Sequence, residues 1–263
     1  MRPQRGIGKH NRILAEVRKA IRMGTVTAGG LLPIEGPKLL HEAFRSGRTI
    51  PHVFTLDGAR LPPIECGALH TVSRQLFKTI QATETSQGVV ALVRPPQFEV
   101  DDLLRGGSPI VVVLDKLQDP GNVGTILRIA EAFRASGCLA LKGSASFFNP
   151  KAVRASAGSL FRVPWVQGLQ TDSLAALKRK GLQLVATSSR AESAIDQWDW
   201  TKPCAIVLGN EGSGLGPGVQ RICDTVLRIP QDPVVESLNA AIASAVILYE
   251  VWKQRTVAGT IHQ

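Results

Sequence analysis

The sequence predicts an α/β protein with two domains, the second built on a mostly parallel β-sheet. In residues 109–263, short apolar runs alternate with helical periods, which is typical of a parallel sheet with helices on both faces. A shorter block, residues 1–96, alternates helices and strands by itself and predicts a small α/β domain. The stretch between them, residues 97–108, is polar and rich in turn residues, so we expect a linker there.

The first block opens with a basic amphipathic helix. In residues 12–23, Ile13, Val17 and Ile21 recur at helical spacing. Four cations lie mostly elsewhere on this helix: Arg12, Arg18, Lys19 and Arg22. The remaining elements predicted in this block are helices at 38–46 and 74–80 and strands at 53–56 and 88–93.

The second block repeats the order strand, loop, helix. Strands are predicted at 110–114, 139–141, 163–166, 182–187, 205–208 and 225–229. Helices are predicted at 122–135 with Asn122 as the cap, and at 151–157, 174–180 and about 237–255. Sheets of this kind bind ligands at the carboxyl ends of their strands. The glycine-rich turn 209–214 follows one of them, and its missing Cβ atoms let the backbone approach a ligand.

Composition favours a polyanionic partner. The chain of 263 residues carries a formal net charge of +10, and the excess of cations leans toward the first block. The alternative is an ordinary solvated basic surface. Hydrophobic residues make up 44% of the chain, enough for a substantial core. The G-x-G-x-x-G fingerprint is absent after the first strand of the second block, which disfavours an ordinary dinucleotide-binding domain.

Cysteine usage and hydropathy point to a cytoplasmic protein. The four cysteines show no metal-ligand spacing, so we expect reduced thiols and no metal site. No apolar segment reaches the roughly 18 residues that a membrane-spanning helix needs. The basic N-terminus lacks the apolar stretch of a secretory signal. An arginine-rich organelle transit peptide stays open, although Glu16 and the scarcity of serine before residue 40 count against it.

Three short motifs stand in order in the second block. They are Asn122-Val-Gly-Thr-Ile-Leu-Arg128, then Leu208-Gly-Asn-Glu-Gly212 with Gly214-Leu215, then Ile229-Pro230 followed by Ser237-Leu238-Asn239. Together they resemble the SpoU/TrmH class of the SPOUT methyltransferases. In the first block, Glu35-Gly-Pro-Lys-Leu-Leu40 and Thr85-Ser-Gln-Gly-Val-Val-Ala91 resemble that family's N-terminal substrate-binding domain, which is related to a ribosomal protein.

This resemblance implies a fold and an activity. The fold would be a C-terminal trefoil knot in a domain that forms homodimers. The activity would be transfer of a methyl group from S-adenosylmethionine to a ribose 2′-hydroxyl of structured RNA. Ribosomal RNA is preferred over transfer RNA, because family members with the extra N-terminal domain usually act there. Two further readings stay open: a non-catalytic RNA-binding or assembly protein of the same fold, and a base-methylating relative.

The resemblance also assigns residues. The catalytic candidates are Asn122, Arg128, Glu211 and Asn239. We expect the Arg128 guanidinium, which is normally protonated, to stabilise developing negative charge and hold a phosphate rather than act as a base. The alternative for Arg128 is a surface pair with Glu131, and for Glu211 an exposed turn carboxylate.

Residues of the last two motifs, with one strand-end threonine, form the predicted cofactor site. They are Thr187, Leu208, Gly209, Asn210, Gly212, Ile229, Ser237 and Leu238. For the substrate RNA, we expect phosphate contacts from the four cations of the first helix and from Arg154, which lies on a short helix of the second block. A plain solvated arginine is the alternative for Arg154.

Overall fold

A computed structural model describes residues 4–5, 7–8, 11–210, 212 and 214–259. The chain folds into two compact units. Unit 1 contains the residues up to Gln97 together with the excursion Ser146–Arg162, and unit 2 contains Phe98–Ala145 and Val163–Gln263. The excursion interrupts the second block of the sequence, so the units do not divide the chain at a single point.

The described residues form the following elements. The helices are α1 (Arg12–Met23), α2 (Pro37–Arg45), α3 (Arg74–Phe77), α4 (Pro120–Ala132), α5 (Pro150–Ala155), α6 (Ser173–Arg179), α7 (Pro217–Ile222) and α8 (Ala240–Val257). The strands are β1 (Gln4–Arg5), β2 (Leu32–Glu35), β3 (His52–Thr55), β4 (Ala68–Thr71), β5 (Val89–Val93), β6 (Ile110–Leu114), β7 (Gly137–Leu141), β8 (Trp165–Leu169), β9 (Gln183–Thr187), β10 (Ser193–Ala194), β11 (Cys204–Leu208) and β12 (Thr225–Arg228).

Unit 1 is built on a mixed five-stranded sheet in the order β1-β4-β3-β5-β2. The first three of these strands pair parallel, and β5 pairs antiparallel with both of its neighbours. Helix α1 buries Leu14 and Val17 in a core that also contains Phe54, Phe77 and Leu92. The predicted Ile13 and Ile21 are only partly buried, because the centre of the buried face of α1 lies at Leu14 and Val17.

The excursion is an integral part of unit 1. Its helix α5 packs against β2, and Phe147, Leu160 and Phe161 are buried. Arg162 Nη1 donates to Glu42 Oε2 of α2 at 2.7 Å. Large buried side chains with an ion pair at one end hold this segment in a defined position.

Unit 2 is built on a seven-stranded sheet in the order β10-β12-β9-β11-β6-β7-β8, and all of its recorded pairings are parallel. The chain runs outward from β6 through β7 to β8, then crosses back to the other side of β6. The direction of winding therefore reverses between β6 and β11. In such sheets this reversal opens a crevice beyond the carboxyl ends of the strands.

Several local predictions need correction. Asn122 does not cap α4: Asp119 does, accepting a hydrogen bond from the Gly121 amide, because Pro120 occupies the first helical position. Strand β7 begins at Gly137, two residues before the predicted strand 139–141. Strands β1, β2, β4 and β10 and helix α7 were not predicted. The trefoil knot remains a prediction.

The stretch predicted as a linker is partly structured. Residues Val100–Leu104 form a 3₁₀ turn, and Leu103 is fully buried in the core of unit 2 beside Val111 and Leu139. Burial of a leucine in that core fixes where the stretch leaves unit 2.

The end of α8 is fastened to unit 2 by a buried arginine. Arg255 donates hydrogen bonds to the carbonyl oxygens of Trp200 at 2.8 Å, of Lys202 at 2.9 Å, and of Ser108. Burial lowers the pKa of this guanidinium. Three carbonyl acceptors compensate the free-energy cost of burying the cation, so the C-terminal end of α8 is held in a fixed position on unit 2.

The four cysteines are thiols, and two of them, Cys138 and Cys204, are buried. All four lie among the described residues, and none forms a disulfide. Burial raises the pKa of the Cys204 thiol to about 12 and also raises that of Cys138, so neither is a thiolate at neutral pH.

No helix in the described ranges has the length and apolarity to cross a bilayer. The same ranges contain no group of three histidine, cysteine or acidic residues suited to hold a metal ion.

Two histidines share a hydrogen bond inside unit 1. His52 Nδ1 and His70 Nε2 are 3.2 Å apart, and the rings stack on one another and on Phe54. His70 is buried, and its Nδ1 has no hydrogen-bond partner among the described residues. Burial lowers the pKa of both rings, and the proximity of His52 lowers that of His70 further. Only one proton fits between the facing nitrogens, so the pair is stable with at least one ring neutral.

We expect unit 1 to lose stability in acid. Because the folded-state pKa values lie below the ordinary value of about 6.5, this stability is present above pH 6.5 and is lost as the pH falls below it. His70→Phe should remove most of this dependence. The measurement is calorimetric unfolding between pH 7.5 and 5.0. Since every tryptophan lies in unit 2, tryptophan fluorescence serves as the control for that unit. An equal acid loss in wild type and His70→Phe would contradict the expectation.

Candidate active site

Three neighbouring strands of unit 2 end at the predicted cofactor residues. Thr187 is the last residue of β9, Leu208 is the last residue of β11, and Ile229 directly follows β12. These strands are adjacent and parallel, so their carboxyl ends lie at one edge of the sheet. Thr187 Oγ1 donates to the Val207 carbonyl at 3.3 Å, which ties the ends of β9 and β11 together. The structure therefore brings these positions to one crevice edge.

The glycine-rich loop after β11 folds back on itself. The backbones of Asn210 and Gly214 exchange hydrogen bonds of 3.1 and 2.9 Å, and the Gly212 amide donates to Asn210 Oδ1 at 3.0 Å. A Cβ at Gly209 would lie 2.6 Å from the Gly214 carbonyl carbon and 2.7 Å from the Leu215 nitrogen. Glycine is required at position 209 by this tight packing, whereas the sequence analysis explained the glycines of this turn only by the approach of a ligand.

Asp115 and Lys116, which the sequence analysis missed, hold this loop in place. Asp115 is buried at the end of β6, and its Oδ2 accepts a hydrogen bond from the Gly216 amide at 2.8 Å. Asn210 Nδ2 donates to the Lys116 carbonyl at 3.2 Å. Lys116 itself adopts a positive φ of 55°, which is uncommon for a residue with a Cβ. The signal in the sequence was the aspartate that directly follows an apolar strand.

Two asparagines link the first and third motifs. Asn239 Nδ2 donates to Asn122 Oδ1 at 3.0 Å. Asn239 also caps α8, since its Oδ1 accepts hydrogen bonds from the Ala241 and Ile242 amides. Asn122 is 9% exposed within α4. Residues separated by 117 positions are thus in direct contact, at the mouth of an open groove that Thr125 and Ala245 also line.

Three further candidates, Arg128, Ser237 and Leu238, make no side-chain hydrogen bond to the asparagine pair or to the described part of the glycine-rich loop. Arg128 is exposed on α4 and makes no hydrogen bond or ion pair with another described residue. Ser237 is exposed and Leu238 half-buried in the segment before α8. Glu211 lies outside the described residues.

The predicted RNA contacts all lie in unit 1. Arg12, Arg18, Lys19 and Arg22 are on α1. Arg154 is exposed on α5 and therefore belongs to the excursion, not to the sheet that carries the crevice.

The structure is thus an α/β protein whose parallel sheet reverses its winding at one point and carries the candidate residues at its carboxyl edge. Comparison with known proteins identifies the family. The chain belongs to the SpoU rRNA Methylase family, whose model matches residues 109–249. A second model, for RNA 2′-O ribose methyltransferase substrate binding, matches residues 33–99.

Individual relatives agree with this assignment. The 23S rRNA (guanosine(2553)-2′-O)-methyltransferase RlmP of Bacillus subtilis is 29% identical, over 83% of this chain and 87% of that protein. The SpoU methyltransferase AviRb of Streptomyces viridochromogenes, solved with AdoMet, is similar with a TM-score of 0.83 and 25% identity, covering 94% of this chain and 99% of AviRb. A structure whose description concerns the 2-OH methylation of C/U34 on tRNA matches with a TM-score of 0.53 and 25% identity, covering 58% of this chain and 99% of that chain.

The two roles of Asn239 can be separated by substitution. Asn239→Ala removes the cap of α8 and should lower the free energy of unfolding by about 1 kcal/mol. Asn239→Asp keeps an oxygen for the Ala241 and Ile242 amides but loses the donor to Asn122, so its loss should be smaller. Urea unfolding measures both variants. A loss for Asn239→Asp as large as that for Asn239→Ala would show that the link to Asn122, and not the cap, stabilises the helix.

Proposed function

We propose that this chain transfers a methyl group from S-adenosylmethionine to a ribose 2′-hydroxyl of structured RNA, with ribosomal RNA as the preferred substrate. The observation that carries the proposal is the hydrogen bond between Asn122 and Asn239. It joins two motifs that are far apart in the sequence, in the unit whose carboxyl edge also bears the glycine-rich loop.

The strand-end residues are suited to the adenosine part of the cofactor. Half-buried Ile229 and Leu238 offer apolar surface, and the loop beginning at Gly209 offers backbone close to the sheet edge. A purine is commonly held by apolar contacts with a few backbone hydrogen bonds, so apolar side chains beside a glycine-rich loop fit it. Thr187, Leu208, Asn210, Gly212 and Ser237 complete the proposed site. When bound, S-adenosylmethionine supplies an electrophilic methyl group on its sulfonium.

The protein's task is to orient the hydroxyl and help it lose its proton. Arg128 is exposed and has no described partner, so its guanidinium is available to a phosphate or to the oxygen that becomes negative. Asn122 and Asn239 offer neutral amide groups that position ribose oxygens without fixing a charge. Glu211 is proposed to orient the arginine or contact the cofactor.

The preference for ribosomal RNA rests on the extent of similarity. A relative named for 23S rRNA matches 83% of this chain, another that matches 88% is named for tRNA/rRNA together, and the structure named for tRNA alone matches 58%. Unit 1 would then provide the grip on structured RNA, which proteins recognise largely through shape and backbone. A cytoplasmic location is part of this proposal and agrees with four cysteines outside disulfides.

Methyl transfer to a 23S ribosomal RNA transcript tests the proposal. Wild-type protein with tritiated S-adenosylmethionine should yield a 2′-O-methyl nucleoside after nuclease digestion and mass spectrometry. Arg128→Ala should lower kcat by about 10²-fold or more, since a group that stabilises transition-state charge is lost. The matched control is Arg179→Ala, because Arg179 is also exposed but lies at the end of α6, just before the amino end of β9.

Three other results would each redirect the proposal. Equal turnover of wild type and Arg128→Ala would remove Arg128 from the mechanism. A methylated base would indicate a base methyltransferase. Absence of S-adenosylmethionine binding in calorimetry would favour the non-catalytic RNA-binding protein.

We further propose that unit 2 forms a homodimer through α8. Ile242 and Tyr249 are more than half exposed on this helix, and Val246 lies between them on the same face. An open groove between α4 and α8, lined by Ile129 and Ala245, continues this apolar surface. Exposed apolar side chains grouped on one helix face are typical of an interface, and a second copy supplies the same chemistry.

Val246→Glu tests the dimer. The carboxylate would be buried without a partner in the assembled protein, so analytical ultracentrifugation should find a monomer. In a monomer this partly exposed position tolerates the change, and thermal stability should fall little. Phe44→Glu, at an exposed apolar position of α2, is the control and should leave the mass unchanged. A dimer that survives Val246→Glu would contradict the proposed interface.

A further inference from the structure

We propose that α1 and α5 together form a single surface that binds RNA phosphates. The surface, called here the α1–α5 surface, consists of Lys19, Arg22 and Arg154. Its ligand class rests on the proposed function, which makes structured RNA the substrate. The juxtaposition itself is independent of that function: it joins the first helix of the chain with a segment that begins more than a hundred residues later.

The two helices meet within unit 1. A Cβ on Gly24, which ends α1, would lie 3.3 Å from the Cα of Asn149, which caps α5. Ile21 of α1 and Arg154 of α5 line the same small cavity. The last turn of α1, which carries Arg22, and the helix α5, which carries Arg154, are therefore neighbours. Lys19 precedes Arg22 by three residues and continues the same face of α1.

The charges of this region are not neutralised by the protein. Lys19, Arg22 and Arg154 are exposed and make no hydrogen bond or ion pair with another described residue. The carboxylate that lines the shared cavity is Glu35, and it already accepts hydrogen bonds from the Ala82 and Thr83 amides and from the Thr83 hydroxyl. Nearby cations without acidic partners favour a polyanion over an acidic side chain of the same chain.

The helix that carries Arg154 is held in a fixed position. The buried residues Ala152 and Val153 of α5 and the ion pair between Arg162 and Glu42 hold the excursion in place. Arg154 lines the cavity while remaining exposed, so we expect its aliphatic stem to pack and its guanidinium to face solvent. A cation presented by a fixed element loses less conformational entropy when it binds a phosphate.

The chemistry favours backbone phosphates over bases. The α1–α5 surface offers guanidinium and ammonium groups and no aromatic side chain on which a base would stack. It also lies outside residues 33–99, the segment that the substrate-binding family model covers. We therefore infer that this chain extends its RNA contact beyond that segment and draws part of it from within the methylase segment, 109–249.

Salt-dependent binding to a 23S ribosomal RNA transcript tests the surface. Filter binding of the full chain, without S-adenosylmethionine, is measured between 50 and 200 mM salt for wild type, Arg22→Gln, Arg154→Gln and Lys19→Gln/Arg22→Gln/Arg154→Gln. Each lost phosphate contact should reduce the slope of log K against log salt by about 1. The triple variant should lose about 2 to 3 units of slope and bind about tenfold more weakly or worse. Arg45→Gln, an equal charge change at an exposed position of α2, is the control.

The outcomes separate this inference from the proposed function. Equal slopes for Arg154→Gln and Arg45→Gln would overturn the α1–α5 surface, even if the wild type methylates RNA. A reduced slope for both Arg22→Gln and Arg154→Gln would support the surface, even if no methyl transfer were detected. Circular dichroism and the S-adenosylmethionine affinity of Arg154→Gln should match wild type, which excludes a folding defect as the cause.

Discussion

The pairing of β6 with β11 is the contact on which the candidate site depends. It aligns Ile110–Leu114 with Cys204–Leu208 in parallel register, across roughly ninety residues of chain. Since the strands run the same way, the loops that follow them emerge side by side. Asp115 then holds Gly216, and the Lys116 carbonyl accepts a hydrogen bond from Asn210. Without this register, the glycine-rich loop would lose its hydrogen bonds to Asp115 and Lys116 and would no longer line the crevice.

A second long-range contact, the hydrogen bond between Asn239 and Asn122, positions two helices. Asn239 fixes the start of α8 by capping it, and the same side chain reaches Asn122 inside α4. A single amide thus serves both helix geometry and contact between motifs. Cap and link use opposite ends of the amide, the oxygen for the helix and the nitrogen for the neighbour, so asparagine suits this position in a way that aspartate or serine does not.

Sequence periodicity predicted six of the seven strands of the second sheet and only two of the five strands described in the first. Runs such as 110–114 and 204–208 are apolar throughout and bounded by turns, so buried parallel strands were predictable. Strands β2 and β4 were missed because a proline in one and a histidine in the other break any alternation.

The part of the candidate site that could not be predicted from the sequence depends on contacts between distant segments. The strand-end positions followed from pattern, and the motifs from resemblance. The roles of Asp115 and Lys116 depend on hydrogen bonds to a loop about a hundred residues away. An aspartate after an apolar strand marks a sheet edge, but no local pattern identifies the loop that it contacts. The excursion was assigned to the second block because its neighbours in sequence are there, while its buried side chains belong to unit 1.

The excursion also bears on how this protein can be divided. Phe147, Leu160 and Phe161 are buried in unit 1 although the chain on either side of them belongs to unit 2. Cutting the gene after Gln97 would leave these aromatic and aliphatic side chains without their cover, and the shortened product would be prone to aggregate. The two units are therefore poor modules for recombination: a graft of a foreign N-terminal domain would need to bring its own matching 146–162 segment.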